Sequence, residues 1–494
     1  MAIEFKTQTL THDCIHSVAH AQTAVRCSVQ THDRGGCSKI LSITATAQIT
    51  SVEALKGEGS VYGRVCYKLL YLDGEGRPCG LDYYCDYDLK LPDERVAPAP
   101  AEATCTVVEC ESELSHDTIS LTALVDVELS QLVKHERTVL VDADCERRTQ
   151  TVHLTHLTPL REVTFEVTEE IESAGNVDRI LLFDARAHAT SVRPTAEGCV
   201  VEGTLACDVV YLCEGEIVQL SHTLPFSEEV EGDQDVEYHL FPRSQRLVVS
   251  GEEGHTLRIE AVLSLSGYRI ATPTVEVLAD AFHPEVCLSA HADRFLCRQP
   301  TARISERFEL THHAALPAPL PLPERILVAL PSRLNLANLI PDVGTVTVEG
   351  VLVASLVYRT AEGATASAEI EIPFSKSFPA PTVCDTDILT GELLPCGISA
   401  TVTGGAVRLS ATLVSTVRVY TPQCVDFIET YTETPRTPSK ALISLYFAGP
   451  EDTLWTVAHA TGTAPSRLLS LNPDLADLPS LDGKKILIYR GEAK

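Results

Sequence analysis

The sequence predicts a mainly β chain: three tandem antiparallel β-sandwich-like repeats followed by a small βααβ domain. Three observations carry this. A strand segment recurs at Val61-Tyr62-Gly63, Val201-Glu202-Gly203 and Val348-Glu349-Gly350, and eight residues after each glycine stands Tyr71, Tyr211 or Tyr358. An aromatic follows each tyrosine by 15 or 16 residues, at Tyr87, Phe226 and Phe374. After Pro438 the pattern changes, and short apolar stripes take up helical spacing. Repeating one β-rich unit multiplies surface and does not create a catalytic centre, so the pattern favours a scaffold or binder.

Each repeat opens with period-two alternation, the mark of a half-buried strand. Leu41, Ile43, Ala45, Ala47 and Ile49 alternate with polar residues, as do Leu181, Phe183, Ala185, Ala187 and Ala189. The third copy, Ile326 to Leu336, is interrupted by Pro331, which predicts an edge position or a bulge. In the next strand the even spacing puts glycine and tyrosine on one face, with Val65, Tyr67 and Leu69 between them in the first copy. A glycine there predicts a close backbone approach or a bulge, and a core tyrosine needs a partner for its hydroxyl. Asp73-Gly74-Glu75-Gly76, Glu214-Gly215 and Glu362-Gly363 are hairpin turns into a returning strand. A last long strand carries Ile119 to Val127, Leu257 to Leu265 and Val407 to Leu413, with alanines aligned at the centre.

The expected divisions are 1–150, the first repeat with an N-terminal extension; 151–290, the second; 291–430, the third; 431–441, a linker around Thr434-Pro435-Arg436-Thr437-Pro438-Ser439; and 442–490, the end domain. The proline-rich stretch from Ala315 to Pro323 must be extended, since proline fixes φ, and serves as an edge segment or connector.

The chain has 494 residues, 39 Lys+Arg against 68 Asp+Glu, and a net charge of -29. Such a chain repels nucleic acid and anionic lipid and favours a cationic partner. Met1-Ala2-Ile3-Glu4-Phe5-Lys6 does not open a signal peptide, and no apolar run is long enough for membrane insertion. Seventeen cysteines without a Cys-x-x-Cys pair fit small buried hydrophobes in a reducing compartment, with later oxidative cross-linking as the alternative.

No enzyme constellation emerges, and no cofactor is expected. His135-Glu136 lacks the second histidine of a zincin motif, Gly57-x-Gly59 with Gly63 has the wrong spacing for a dinucleotide loop, and Glu228-Glu229 point to opposite faces of a strand. His12, Cys14, His16 and His20 form a cluster whose three histidines would share a face and could bind metal if helical; a solvated terminal stretch is the simpler expectation, and no metal site is assigned.

The three-fold Val-x-Gly strand ending in Tyr, the Leu/Ile-Pro-Phe return (Leu224-Pro225-Phe226, Ile372-Pro373-Phe374) and the Ala-centred strand resemble the SPOCS domains of SipL-type spore-coat morphogenetic proteins. The first copy departs at the return, reading Asp86-Tyr87-Asp88-Leu89. In the end domain, Ile443–Phe447 reads as a strand and Asp452 as the N-cap of a helix with Leu454, Val457 and Ala458 buried. Gly462 stops that helix, Pro465 opens a second, and Lys485–Tyr489 closes with a strand. Glu451-Asp452-Thr453-Leu454-Trp455, Leu471-Asn472-Pro473 and Leu481-Asp482-Gly483 resemble a LysM domain. That resemblance implies a groove for N-acetylglucosamine-containing glycan at Asp452, Thr453, Leu454, Trp455, Asn472, Pro473 and Leu481. The SipL-type resemblance implies a protein ligand instead, a SpoIVA-type coat ATPase, and a place in the mother-cell cytoplasm at the forespore surface and in the spore coat. The expected function is a non-enzymatic scaffold for coat assembly, with peptidoglycan- or chitin-type glycan binding as the alternative.

Overall fold

The computed structural model describes residues 3–490 apart from 33–34, 117, 233–236, 253–254, 317, 437–440, 477 and 479. Met1-Ala2, Pro317 and Thr437-Pro438-Ser439 therefore lie outside the described residues. The chain is mainly β, and its sheets are antiparallel.

The first part contains β1 (Phe5–Gln30), β2 (Lys39–Leu55), β3 (Glu58–Leu72), β4 (Pro78–Pro92), β5 (Ala101–Ser115) and β6 (Thr118–Ala143). Sheet β2-β3-β4 faces sheet β1-β6-β5 across one core. The next strands are β7 (Glu146–His153), β8 (His156–Pro159), β9 (Val163–Glu172), β10 (Val177–Thr195), β11 (Gly198–Cys213), β12 (Glu216–Glu231), β13 (Glu237–Glu252), β14 (Thr256–Ala271) and β15 (Thr274–Phe282). Here β10-β11-β12 faces β14, which is flanked by β13 and β9. Then come β16 (Val286–Ala314), β17 (Pro323–Asp342), β18 (Thr345–Thr360), β19 (Thr365–Pro379), β20 (Ile388–Thr403) and β21 (Ala406–Pro435), with β17-β18-β19 facing β16-β21-β20.

Period-two patterning decides which side chains enter these cores. Ile119, Leu121, Ala123, Val125 and Val127 of β6 are fully buried, as are Leu257, Ile259, Leu263, Val407, Leu409 and Leu413 at matching positions. Pro331 sits in β17, the edge of sheet β17-β18-β19 among the described residues, and the register shifts between Pro331 and Arg333. The edge position and the bulge occur together, because proline removes a ladder donor.

The glycine–aromatic repeat has a steric cause. Gly63, Gly203 and Gly350 lie directly opposite Tyr87, Phe226 and Phe374 on the returning strands. A Cβ on these glycines would stand 2.3, 2.1 and 2.7 Å from those rings. Each ring occupies the space a Cβ would need, so the glycine is required by close approach. The first copy does the same with tyrosine, despite its different return sequence. The core tyrosines find their partners: Ala174 N–H donates to the Tyr211 hydroxyl at 2.9 Å, and Tyr358 donates to Pro321 O at 3.0 Å. The latter ties the proline-rich connector to the third core.

The three parts do not form a linear string. Leu41 and Leu70, Leu181, Leu182 and Val210, and Leu327, Val328 and Val357 form a single buried cluster. The middle strands β3, β11 and β18 are thus buried on both faces, which is why they read as near-continuous apolar runs. A second meeting point lies where β6, β15 and β21 run on past the cores. Val139 and Leu140, Val277 and Leu278, and Phe427 and Ile428 pack together there. The expected divisions near 150, 290 and 430 consequently fall inside β7, β16 and β21. Within the stretch expected as a linker from 431, Thr434 and Pro435 pair with Cys287 and Val286. The chain ends in β22 (Ile443–Phe447), α1 (Leu454–Thr461), α2 (Pro465–Leu471) and β23 (Lys485–Tyr489).

Candidate functional site

In the end domain β22 and β23 form a two-stranded antiparallel sheet, with Ile443 opposite Tyr489 and Leu445 opposite Leu487. Ile486 and Ile488 point inward and join Val457, Ala458, Leu468, Leu475 and Leu481 in a small core. The alternate residues point away. Ile443, Leu445 and Phe447 are 64%, 54% and 66% exposed, and Leu487 and Tyr489 over a third exposed. Leu442 continues the patch, and Lys485 Nζ lies 5.8 Å from the centre of the Phe447 ring. Both faces of this sheet are apolar, and the helices cover only one.

The groove residues expected from the sequence have separate positions. Asn472 is buried; its amide donates to Leu468 O and Leu487 O at 2.8 and 2.9 Å, and its oxygen accepts from Leu487 N–H at 2.8 Å. It is a strut between α2 and β23. Leu481 is in the core and Leu454 packs against it. Asp452 does not cap α1. The N-cap is Thr453, whose hydroxyl accepts from Thr456 N–H in a capping box. Asp452 instead folds the preceding loop, accepting from Gly449 N–H at 2.8 Å and from the Tyr446 hydroxyl at 3.2 Å. Thr453 and Pro473 are exposed.

Trp455 is engaged within the chain. Its indole N–H donates to Asp280 Oδ2 at 2.7 Å, and its ring meets Phe282 edge-on with centroids 5.2 Å apart. His459 meets the same phenylalanine, and Arg436 donates to the carbonyls of His459 and Ala460 at the end of α1. Carbonyls at a helix C-terminus are unpaired and favour a cation. These contacts seat the end domain on β15 and leave the β22–β23 face outward. Reasoning from sequence singled out Trp455 and passed over Ile443, Leu445, Phe447, Leu487 and Tyr489. The signal was available: Ile486-Leu487-Ile488-Tyr489 is apolar on both faces, in a sheet with too few strands to be sandwiched.

A second polar constellation lies between the first two parts. Lys68, Asp184 and Asp208 are buried and Arg186 is nearly so. Lys68 Nζ is 3.0 Å from Asp184 Oδ1 and donates to Phe183 O, and Arg186 pairs with both Asp184 and Asp208. Burial alone would raise the Asp184 pKa, but Arg186 and Lys68 hold it down to about 2. Burial would lower that of Lys68, and Asp184 raises it instead. Gln219 continues the polar seam, donating to Ala329 O at 2.8 Å and accepting from Ala329 N–H at 2.7 Å. Ser42 and Ser355 hydroxyls, 2.9 Å apart, close the remaining side. Every pair of parts is therefore joined by buried or half-buried polar contacts.

The His/Cys stretch near the start is strand, not helix. His12 is buried and its Nδ1 accepts from Thr155 N–H at 3.0 Å. Cys14 and His16 are half-buried and His20 is exposed, 2.7 Å from Asp126. Cys14, His16 and the distant His135 come together. Burial pushes the Cys14 thiol up to about 11, and lowers the His16 pKa with help from His135 and Arg298. The described cysteines are free thiols. Among the described residues no helix is long and apolar enough to cross a membrane.

The family model "SipL, SPOCS domain" matches residues 176–245. That span covers β10, β11 and β12 with the Gly203–Phe226 pair, so the match falls on the second copy of the repeated motif. It supports a SipL-type, sporulation-related protein. No curated protein matches the chain, and no solved structure matches it.

Proposed function

We propose that this chain is a non-enzymatic scaffold of endospore envelope assembly, built of three related β-modules and a LysM-like end domain that docks on a SpoIVA-type coat ATPase. The observation that carries the docking is the outward β22–β23 face. An exposed apolar patch on a folded domain marks an interaction site, and aromatic and aliphatic side chains at its centre act as anchors. Phe447, Leu445 and Ile443 are the anchors and Lys485 sits at the rim. The groove residues favour a protein ligand over a glycan, since Asn472 and Leu481 are taken up by the end domain's own fold and Trp455 by Asp280 and Phe282. The place of action is the mother-cell cytoplasm at the forespore surface, then the spore coat.

Two measurements test this. A fluorescently tagged chain in a sporulating cell should form a ring around the forespore, and diffuse signal throughout sporulation would sink the scaffold. In pull-downs, Leu445→Glu with Phe447→Glu should abolish co-purification with the coat ATPase while the circular-dichroism spectrum stays unchanged. Retention on insoluble peptidoglycan that survives this double change, with no ATPase captured by the wild type, would establish the glycan ligand instead.

A further inference from the structure

Cys14 and His16 alternate along β1 and so project from one face of the β1–β6 ribbon, as does His12. His135 of β6 lies opposite His12, and Cys14 lies opposite Val133. The two imidazoles thus start on either side of Cys14 along the ribbon, and both lean over it. Cys14 Sγ is 2.8 Å from His16 Nε2, and the two Nε2 atoms are 3.5 Å apart. The three ligand atoms all lie within 4.8 Å of one another.

We propose that Cys14, His16 and His135 bind a zinc-class divalent cation, with the fourth position open to water. The donor chemistry selects it: thiolate and imidazole nitrogens suit zinc, whereas magnesium and calcium take oxygens. The geometry fits as well. With Zn–S near 2.3 Å and Zn–N near 2.0–2.1 Å, a tetrahedral site sets its nitrogens about 3.3 Å apart and its sulfur about 3.5 Å from each. The nitrogens already meet that spacing, and Sγ and His16 Nε2 must part by roughly 0.7 Å, which side-chain rotation provides. On binding, the Cys14 thiol gives its proton to solvent and its sulfur lone pair to the metal; nothing is oxidised or reduced. The neighbouring charges are Asp13 and Arg298, which act on the thiol in opposite senses.

The position gives the metal a structural task. The register of β1 on β6 shifts between Ser17 and Ala19, next to the site. On the other side His12 holds Thr155, at the entry to the second part. A metal bridging His16 and Cys14 to His135 would pin β1 to β6 at this crossing.

The test uses the full chain, stripped with a chelator and titrated with Co²⁺, then with Zn²⁺. The expected result is one cobalt per chain with a thiolate-to-cobalt charge-transfer band and tetrahedral-strength visible bands, both erased by zinc. Cys14→Ser should lose the charge-transfer band. His135→Gln, at an exposed position where folding is safe, should weaken cobalt binding by at least about tenfold, since even outer-sphere changes typically cost 10–100-fold. Absence of the band in the wild type overturns the site. So does a band that both variants retain at unchanged strength, which would place the metal among other cysteines.

Discussion

The junction between the first two β parts and the outer face of the end domain break the usual partition in opposite ways. The junction buries four charges, Lys68, Asp184, Arg186 and Asp208, among leucines. The end domain exposes six large apolar side chains to water among its described residues, Leu442 included. At the junction each charge has its opposite within the same fold, so the surface is closed and complete. At β22–β23 no apolar side chain among the described residues covers the exposed ones, so the surface is open. The contrast separates surfaces that hold the chain together from the one proposed as the partner's dock. It also explains why the repeat units are not beads: their middle strands are buried on both faces by each other.

The largest expected effect is at the junction. Asp184→Ala leaves Lys68 with the Phe183 carbonyl as its hydrogen-bond partner and only Asp82 as a nearby carboxylate, and removes one of two carboxylates from Arg186. Removing one partner of a buried pair leaves an uncompensated charge and costs about 3–5 kcal/mol. Denaturant unfolding should show that loss. A loss below about 1 kcal/mol would mean that water reaches the quartet, and the contrast with the open face would fail.

A smaller effect comes from pH. His188 is buried on β10, within 2.9 Å of the Thr204 hydroxyl and 3.8 Å from Cys396 Sγ of β20, so it lies where the second and third parts meet. Burial, with the nearby Arg307, lowers its pKa from 6.5 to about 4. The unfolded chain therefore binds a proton between pH 6.5 and 4 that the folded chain refuses. Stability is complete above 6.5, falls as pH drops through that window, and levels off below 4, by an amount on the order of 3 kcal/mol. Asp184 acts in a separate window: its stabilisation is present above its ordinary value of 3.8 and is lost as pH falls towards 2. His188→Gln should reduce the slope in the upper window, to which buried His12, also lowered to about 4, still contributes, and leave the lower window unchanged. An unchanged slope between pH 6.5 and 4 would show that the seam at His188 admits protons freely.

How much of this was readable in advance follows from range. Period-two alternation and the Gly–Tyr–aromatic spacing are local, so strands, hairpins and the facing of Gly63 and Tyr71 could be read directly. The reason for the glycine, a ring from the next strand, needed the pairing register. The hub was hidden because it joins residues such as Leu41, Leu181 and Leu327. One signal for it did exist: Lys68, Asp208 and Ser355 occupy the same position, three before the repeat tyrosine, in otherwise apolar strands. Polar residues there required partners across a buried face. At the start of the chain, helical spacing would align His12, His16 and His20, whereas the strand brings Cys14 and His16 to His135, which lies far away in sequence. In the end domain, motif likeness drew attention to residues whose hydrogen bonds and packing maintain the fold.

The smallest expected effect is the most discriminating. Leu445→Ser on the open face removes a side chain that is 54% exposed and sits between other exposed residues. Folding gains little from such a side chain, so the change in stability should stay within about 0.5 kcal/mol. The same substitution should weaken capture of the coat ATPase, because an anchor at the centre of an interface is desolvated only in the complex. Stability and binding thus respond in opposite proportion at the two regions: large and indirect at Asp184, negligible and direct at Leu445. A stability loss above about 2 kcal/mol for Leu445→Ser is the size expected of a core leucine. That result would mean the face is covered within the protein itself, by another copy of the chain, and the end domain would then be an assembly contact and not the partner's dock.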